Sequence, residues 1–149
     1  MNDRLKFRVW YKDENRYRPQ NEEGGLFVLS GDGSLWYHYH DPSISSPEYG
    51  KIQLCCKSDF VIEQCTGLSD ANGRLVYEGD IIESIDKDGE PTRHVIEWNN
   101  DFVRFEAVLL PKHEWKEDGW IISTELFKFF RKRVVGNIHE NPELLESSK

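Results

Sequence analysis

Several groups of side chains have the chemistry to do more than pack. His38 and His40 place two imidazoles on one face of an extended segment, beside Asp41. With a cysteine they would make a zinc ligand set, but no C-x-x-C or H-x-x-x-H spacing accompanies them. Cys55 and Cys56 are adjacent, so on a strand they point to opposite faces. The expectation is therefore no metal and no cofactor. Cys65 with His94 or His139 would supply a thiol nucleophile and a base if the fold brought them together. Cys65 sits in an apolar alternation, however, where a thiol usually behaves as a small hydrophobe. Glu78, Asp80 and Glu83 bring three carboxylates close in sequence. Such acids can exchange protons or hold a divalent ion, but backbone bonding in a turn at Gly79 already accounts for Asp80. No catalytic residue is assigned, and the reading is not an enzyme.

One basic-aromatic patch remains. Lys128, Arg131, Lys132 and Arg133 alternate with Phe127, Phe129 and Phe130. On a small barrel this patch could bind single-stranded nucleic acid by stacking and charge. The plainer reading puts the phenylalanines in the core and the charges on a solvated face. Charge distribution favours the plainer reading. Through residue 60 there are eight Lys/Arg against nine Asp/Glu, and from residue 61 on eleven against eighteen. An acidic second segment repels a phosphate backbone, so nucleic acid is not expected as a partner. Trp36, Trp98, Trp115 and Trp120 read as core or interface anchors.

The elements that must position these groups are mostly strands. Leu5 to Tyr11 alternates, with Leu5, Phe7, Val9 and Tyr11 opposite Lys6, Arg8, Trp10 and Lys12. Residues 13–25 read as a loop, 26–29 as a strand, 31–33 as a hairpin turn and 34–40 as a strand. Residues 41–50 form an exposed loop, and 52–56 a short strand. Val61 to Thr66 alternates again, and Asp70-Ala71-Asn72-Gly73 is a dense turn signal. Gly79 permits a sharp entry into a series of strands at 81–86, 92–98, 102–110, 120–123 and 134–138. Five short strands are the number expected of an SH3-like barrel. Thr124 to Arg133 fits either a helical turn or a twisted strand. Asn141-Pro142-Glu143 carries the signals of a terminal helical turn, with Asn141 as its cap.

The predicted fold class is thus mainly β, an SH3-like β-barrel with an N-terminal β-hairpin region and little helix. Residues 1–60 form the N-terminal β region and 61–149 the barrel with its tail; one continuous domain over 5–145 is the other division. The composition is that of a globular chain, with 31% charged and 38% hydrophobic residues. No apolar run has the length of a membrane span, and no secretory leader precedes Leu5. A cytoplasmic location, reduced thiols and no membrane partner follow as expectations. Nineteen aromatic residues in so small a chain exceed what short strands can enclose, so self-association is expected.

Three segments carry a resemblance. Lys6-Phe7-Arg8-Val9-Trp10 is the first. The second joins Gln64 to Gly73, through Thr66, Gly67, Asn72 and Gly73, with Val76 to Ile82, through Tyr77, Glu78, Gly79 and Asp80. The third is Val135 to Leu145, containing Gly136, Asn137, Asn141 and Pro142. In this order, over nearly the whole chain, they resemble the YopX family of phages and prophages of Gram-positive bacteria. Cys65 and His139 depart from it, standing where an aromatic or varied residue and a tyrosine are common. The resemblance implies an SH3-like, mainly β fold, a tendency to homo-oligomerise, and an accessory role with no defined chemical activity. The phage or host protein it would contact is not implied.

Overall fold

In a computed structural model, the structure describes residues 6–18, 26–31, 34–39, 50–53, 59–85, 89–110, 120–121 and 132–146. The strands among them are β1 (Phe7–Tyr11), β2 (Arg16–Arg18), β3 (Leu26–Leu29), β4 (Leu35–Tyr39), β5 (Gly50–Gln53), β6 (Phe60–Ser69), β7 (Leu75–Tyr77), β8 (Asp80–Ile85), β9 (Pro91–Asn99), β10 (Arg104–Leu109), β11 (Trp120–Ile121) and β12 (Arg133–Asn137). The helical element among the described residues is one 3-10 turn, Pro142–Leu145. The protein is mainly β. Its sheets run in the orders β2-β1-β6-β7, β3-β4-β5 and β11-β10-β9-β8-β12. The chain divides into a larger unit, Met1–Phe7 with Glu63–Lys149, and a smaller unit, Arg8–Ile62.

In the smaller unit, β1 and β2 form an antiparallel hairpin with Val9 opposite Arg18, Trp10 opposite Tyr17 and Tyr11 opposite Arg16. Residues 16–18, part of the loop expected over 13–25, are the strand β2. Arg-Tyr-Arg has no apolar alternation, but the turn at 12–15 returns the chain beside β1, with Asn15 in the left-handed region at φ 50°. Val9 and Trp10 are both buried, so β1 is covered on both faces at these two positions. Phe27, Leu35 and Phe60 complete this unit's described buried hydrophobics. Tyr11 lies 6.2 Å from Phe27 and 6.4 Å from Phe60 between ring centres, and Phe27 lies 4.9 Å from Tyr37. The expected 31–33 turn joins β3 to β4, with Leu29 opposite Leu35.

The larger unit is built on the five-stranded sheet. Val76, Ile82, Ile96 and Ala107 form its core, with Leu68, Phe105 and Val134 packed against them. Each fully buried aliphatic side chain contributes about 1.5–3 kcal/mol. The final strand, β12, lies beside β8, the first strand of this sheet. That arrangement of five antiparallel strands is compatible with the expected SH3-like barrel. Ile81 and Ile82 are both buried, as are His94, Val95 and Ile96. These strands are covered on both faces, which a two-residue alternation cannot report. β6 runs past the expected end at Thr66 to Ser69, and its register with β7 shifts between Cys65 and Ser69. The extra residues form a bulge, held where the Thr66 hydroxyl donates to the Val76 carbonyl at 2.9 Å and accepts the Leu68 N–H at 3.1 Å. Phe102 and Val103, read as the start of a strand, belong to the preceding turn; β10 starts at Arg104. Residues 111–119 and most of 124–133 lie outside the described residues. No helix among the described residues is long and apolar enough to cross a membrane.

Candidate functional site

The residues of the second and third resemblance segments meet at Glu63. This side chain leaves β6 only 2% exposed. Its Oε1 lies 3.1 Å from His139 Nε2, across 76 residues of sequence. Gly79 sits against the same carboxylate. It has φ +78°, and a Cβ there would collide with Glu63 Oε1 and approach Ile138 Cδ1 to 3.3 Å. Its backbone is used on both sides: the N–H donates to the Ile96 carbonyl at 2.8 Å, and the carbonyl accepts the Ile138 N–H at 2.9 Å. Gly79 is therefore required twice, by dihedral angle and by the space Glu63 occupies.

Asp80 is fully buried and accepts the Tyr77 N–H at 2.9 Å, which closes the Tyr77-Glu78-Gly79-Asp80 turn. Asp70 organises the earlier turn. One carboxylate oxygen accepts the N–H groups of Asn72 and Arg74 at 2.8 and 2.9 Å, while the other accepts the Val134 N–H of β12 at 3.1 Å. Gly73, with φ +82°, completes that turn. Asp70 thus fastens a local turn to a strand 64 residues away.

Asn137 does the same work at the other end. Its Oδ1 accepts the N–H groups of His139 and Glu140 at 3.0 and 2.9 Å, and its amide donates to the Glu140 carboxylate. Asn141 was expected to cap the following helical turn. It makes no such side-chain bond; its Oδ1 instead accepts the Asn137 N–H at 3.3 Å. That oxygen fills the place where a Cβ on Gly136 would lie, with Asn141 Cγ 2.8 Å and Leu144 Cδ1 2.9 Å from it. The asparagine thereby folds the 137–141 turn and sets His139 against Glu63. Pro142 begins the 3-10 turn as expected.

The site is acidic. Burial pushes the Glu78 carboxyl above the usual range, and the neighbouring charges of Glu63 and Glu97 add to this. Among the described residues no three His, Cys, Asp or Glu side chains are arranged to hold a metal ion. His40, Asp41, Cys55 and Cys56 lie outside the described residues, and His38 is on β4. Cys65 is buried, with Sγ 3.4 Å from the Gly67 N–H. Its two candidate bases sit in different surroundings. His139 meets Glu63, and burial pushes His94 down to about 4, with the nearby Lys132 charge adding to the shift. Glu83 pairs with Arg93 at 3.2 Å and Arg133 at 3.8 Å.

Of the basic-aromatic patch, Lys132 and Arg133 lie among the described residues. Lys132 is 2% exposed, and burial holds its ammonium below the usual lysine range. Arg133 lies on β12 beside Glu83. Lys128, Arg131 and the three phenylalanines lie outside the described residues. Glu63 itself was missed. It reads as one polar member of an alternating strand, and its partner is far away in sequence.

The YopX protein family profile matches residues 6–146. Among solved structures, protein EF1440 from Enterococcus faecalis is 26% identical, with 95% of this chain and 97% of that chain covered and a TM-score of 0.61. The YopX protein from Bacillus subtilis is 15% identical, with 98% and 100% covered and a TM-score of 0.62. No curated protein matches the chain. The profile spans both turns that meet at Glu63, and on that match the chain belongs to the YopX protein family.

Proposed function

We propose that this is a non-enzymatic accessory protein of phage or prophage origin that works in the bacterial cytoplasm through protein–protein contacts, assembled from copies of itself. The turn between β9 and β10 carries the reading. Phe102 is 64% exposed and Val103 71% exposed. Val103 has φ 51°, a conformation that costs a β-branched residue on the order of 1–2 kcal/mol. The turn is nevertheless firmly built. Asn99 Oδ1 accepts the N–H groups of Asp101 and Phe102 at 2.9 and 3.1 Å, and its amide donates to Glu106 at 3.0 Å. Arg104 holds the other Glu106 oxygen at 2.7 Å and lies 4.6 Å from the centre of the Phe102 ring. A rigid, strained tip that displays adjacent apolar side chains is suited to binding another surface. The non-enzymatic part of the reading is supported by Asp70 and Asn137, whose polar atoms serve backbone turns. Light scattering on the eluting protein tests self-association. A mass that is a multiple of 17.5 kDa is expected, and a strictly monomeric mass at all concentrations contradicts it.

A further inference from the structure

Asn72-Gly73 is the one place in the sequence where a glycine follows an asparagine. The pair carries a reaction of its own. A glycine presents its backbone nitrogen with no Cβ in the way, so that nitrogen can reach the amide carbon of the preceding asparagine. The structure leaves room for the imide ring that results. Residues 71–74 are exposed, and nothing lies within 4 Å of the place a Cβ on Gly73 would take. Among the described residues the Asn72 side-chain amide makes no hydrogen bond; its backbone N–H donates to Asp70 Oδ1 at 2.8 Å.

The attacking atom is held, however. The Gly73 N–H donates to the Asp70 carbonyl at 3.0 Å, and the Arg74 N–H to Asp70 Oδ1 at 2.9 Å. The Asp70 N–H in turn donates to the Arg74 carbonyl at 2.8 Å. These bonds engage the proton that must leave and fix the backbone between the two residues. The nitrogen is released for attack when the turn opens locally. The same turn also carries a long-range fastening. The Val134 N–H donates to Asp70 Oδ2 at 3.1 Å, and the Ala71 N–H to the Lys132 carbonyl at 3.0 Å. A change in the length of the 70–74 backbone therefore disturbs the seating of β12.

We infer that Asn72 is a self-modification site, closed while the Asp70 turn holds and converted to isoaspartate and aspartate when it opens. The steps balance with water as the co-reactant. The Gly73 nitrogen gives its proton to water or hydroxide and bonds to Asn72 Cγ. The Cγ–Nδ2 bond breaks, and Nδ2 leaves as ammonia with a proton from water. Water then adds to one carbonyl of the imide. Opening at Cγ yields aspartate. Opening at the Asn72 backbone carbonyl carbon yields isoaspartate, whose main chain runs through Cβ and Cγ. No atom is oxidised or reduced. The added backbone atom of isoaspartate moves the Gly73 and Arg74 N–H groups out of register with Asp70, and either product sets a second carboxylate near that of Asp70. Conversion thus loosens β12 and leaves a lasting mark of each opening. The inference is independent of self-association.

Peptide mapping of the full chain tests it, after ageing at mildly alkaline pH in native buffer and in urea. Two variants accompany the wild type. Asn72→Gln has a longer side chain that closes the ring far less readily, and Asp70→Ala lacks the carboxylate that holds Asn72, Arg74 and Val134. Conversion at Asn72 is expected at least about tenfold faster in urea than in the native wild type, and faster in native Asp70→Ala than in native wild type. The converted wild type, separated by ion exchange, should exchange its Val134 amide hydrogen at least about tenfold faster than the parent, while aged Asn72→Gln is unchanged. No conversion in urea overturns the site. Equal rates in buffer and urea overturn the gating by the turn. Val134 exchange that is the same before and after conversion overturns the link to β12. Circular dichroism checks that Asp70→Ala is folded; if it is not, the wild type in buffer and in urea decides alone.

Discussion

At the scale of single residues, three of the four glycines in the resemblance segments differ in what a side chain there would meet. Gly73 has positive φ but nothing within 4 Å of a Cβ. Gly73→Ala is expected to cost about 1 kcal/mol, the price of left-handed backbone alone. Gly79→Ala adds a collision with buried Glu63, and on the order of 2–4 kcal/mol is expected from strain and overpacking together. Gly136→Ala must displace Asn141 and Leu144, for about 1–3 kcal/mol. Chemical denaturation of the three variants checks this order, and a Gly73 variant less stable than the Gly79 variant contradicts it. The turn glycines were legible in the sequence as turn formers. The steric need at Gly79 and Gly136 was not, because Glu63 and Asn141 are brought there by the fold. His94 supplies a pH dependence. Its folded value of about 4 lies below the ordinary 6.5, so the unfolded chain binds the proton more tightly between the two. Stability is fully present above about pH 6.5 and declines as pH falls towards 4, by up to about 3 kcal/mol. Denaturation midpoints across this window should fall less steeply for His94→Gln. An identical slope in the variant contradicts the assignment.

At the scale of elements, the strands with strong alternation were legible and the exceptions have local causes. β2 escaped detection because three residues, Arg-Tyr-Arg, offer no apolar period; only the pairing with β1 makes them a strand. β10 starts later than its apolar sequence suggests, because Asn99 captures the N–H groups of Asp101 and Phe102 and holds them in a turn. β6 outruns its pattern through the Thr66 bulge. The turn between β9 and β10 gives a prediction with two opposed readouts. Val103→Gly relieves the positive φ, so a gain of on the order of 1 kcal/mol in stability is expected. The same change removes an exposed contact side chain, so self-association should weaken. A variant that is less stable, or one that associates as well as the wild type, contradicts the reading of this turn as a strained binding tip. Such opposition between stability and function is common where a site holds strain.

At the scale of the whole molecule, the sequence was informative about class and family but less so about the site. A mainly β chain with five strands after Tyr77 follows from period and turn signals. The meeting of Glu63, Gly79 and the 137–141 turn needs contacts across 76 residues, and no local pattern encodes them. In the alternative basic-aromatic patch, composition could not show that the Lys132 side chain is enclosed. Among the described residues, the turn between β9 and β10 displays an apolar tip, while Asp70, Asp80 and Asn137 hold turns. The proposed contact with further copies is assigned to the apolar tip between β9 and β10. Sedimentation equilibrium of wild type and Phe102→Ser, side by side from low to high micromolar concentration, tests this most directly. The wild type is expected to exceed 17.5 kDa reversibly with concentration, and the variant to associate at least about tenfold more weakly, as for loss of an aromatic anchor. A wild type that stays at 17.5 kDa, or a folded variant that assembles as the wild type does, contradicts it.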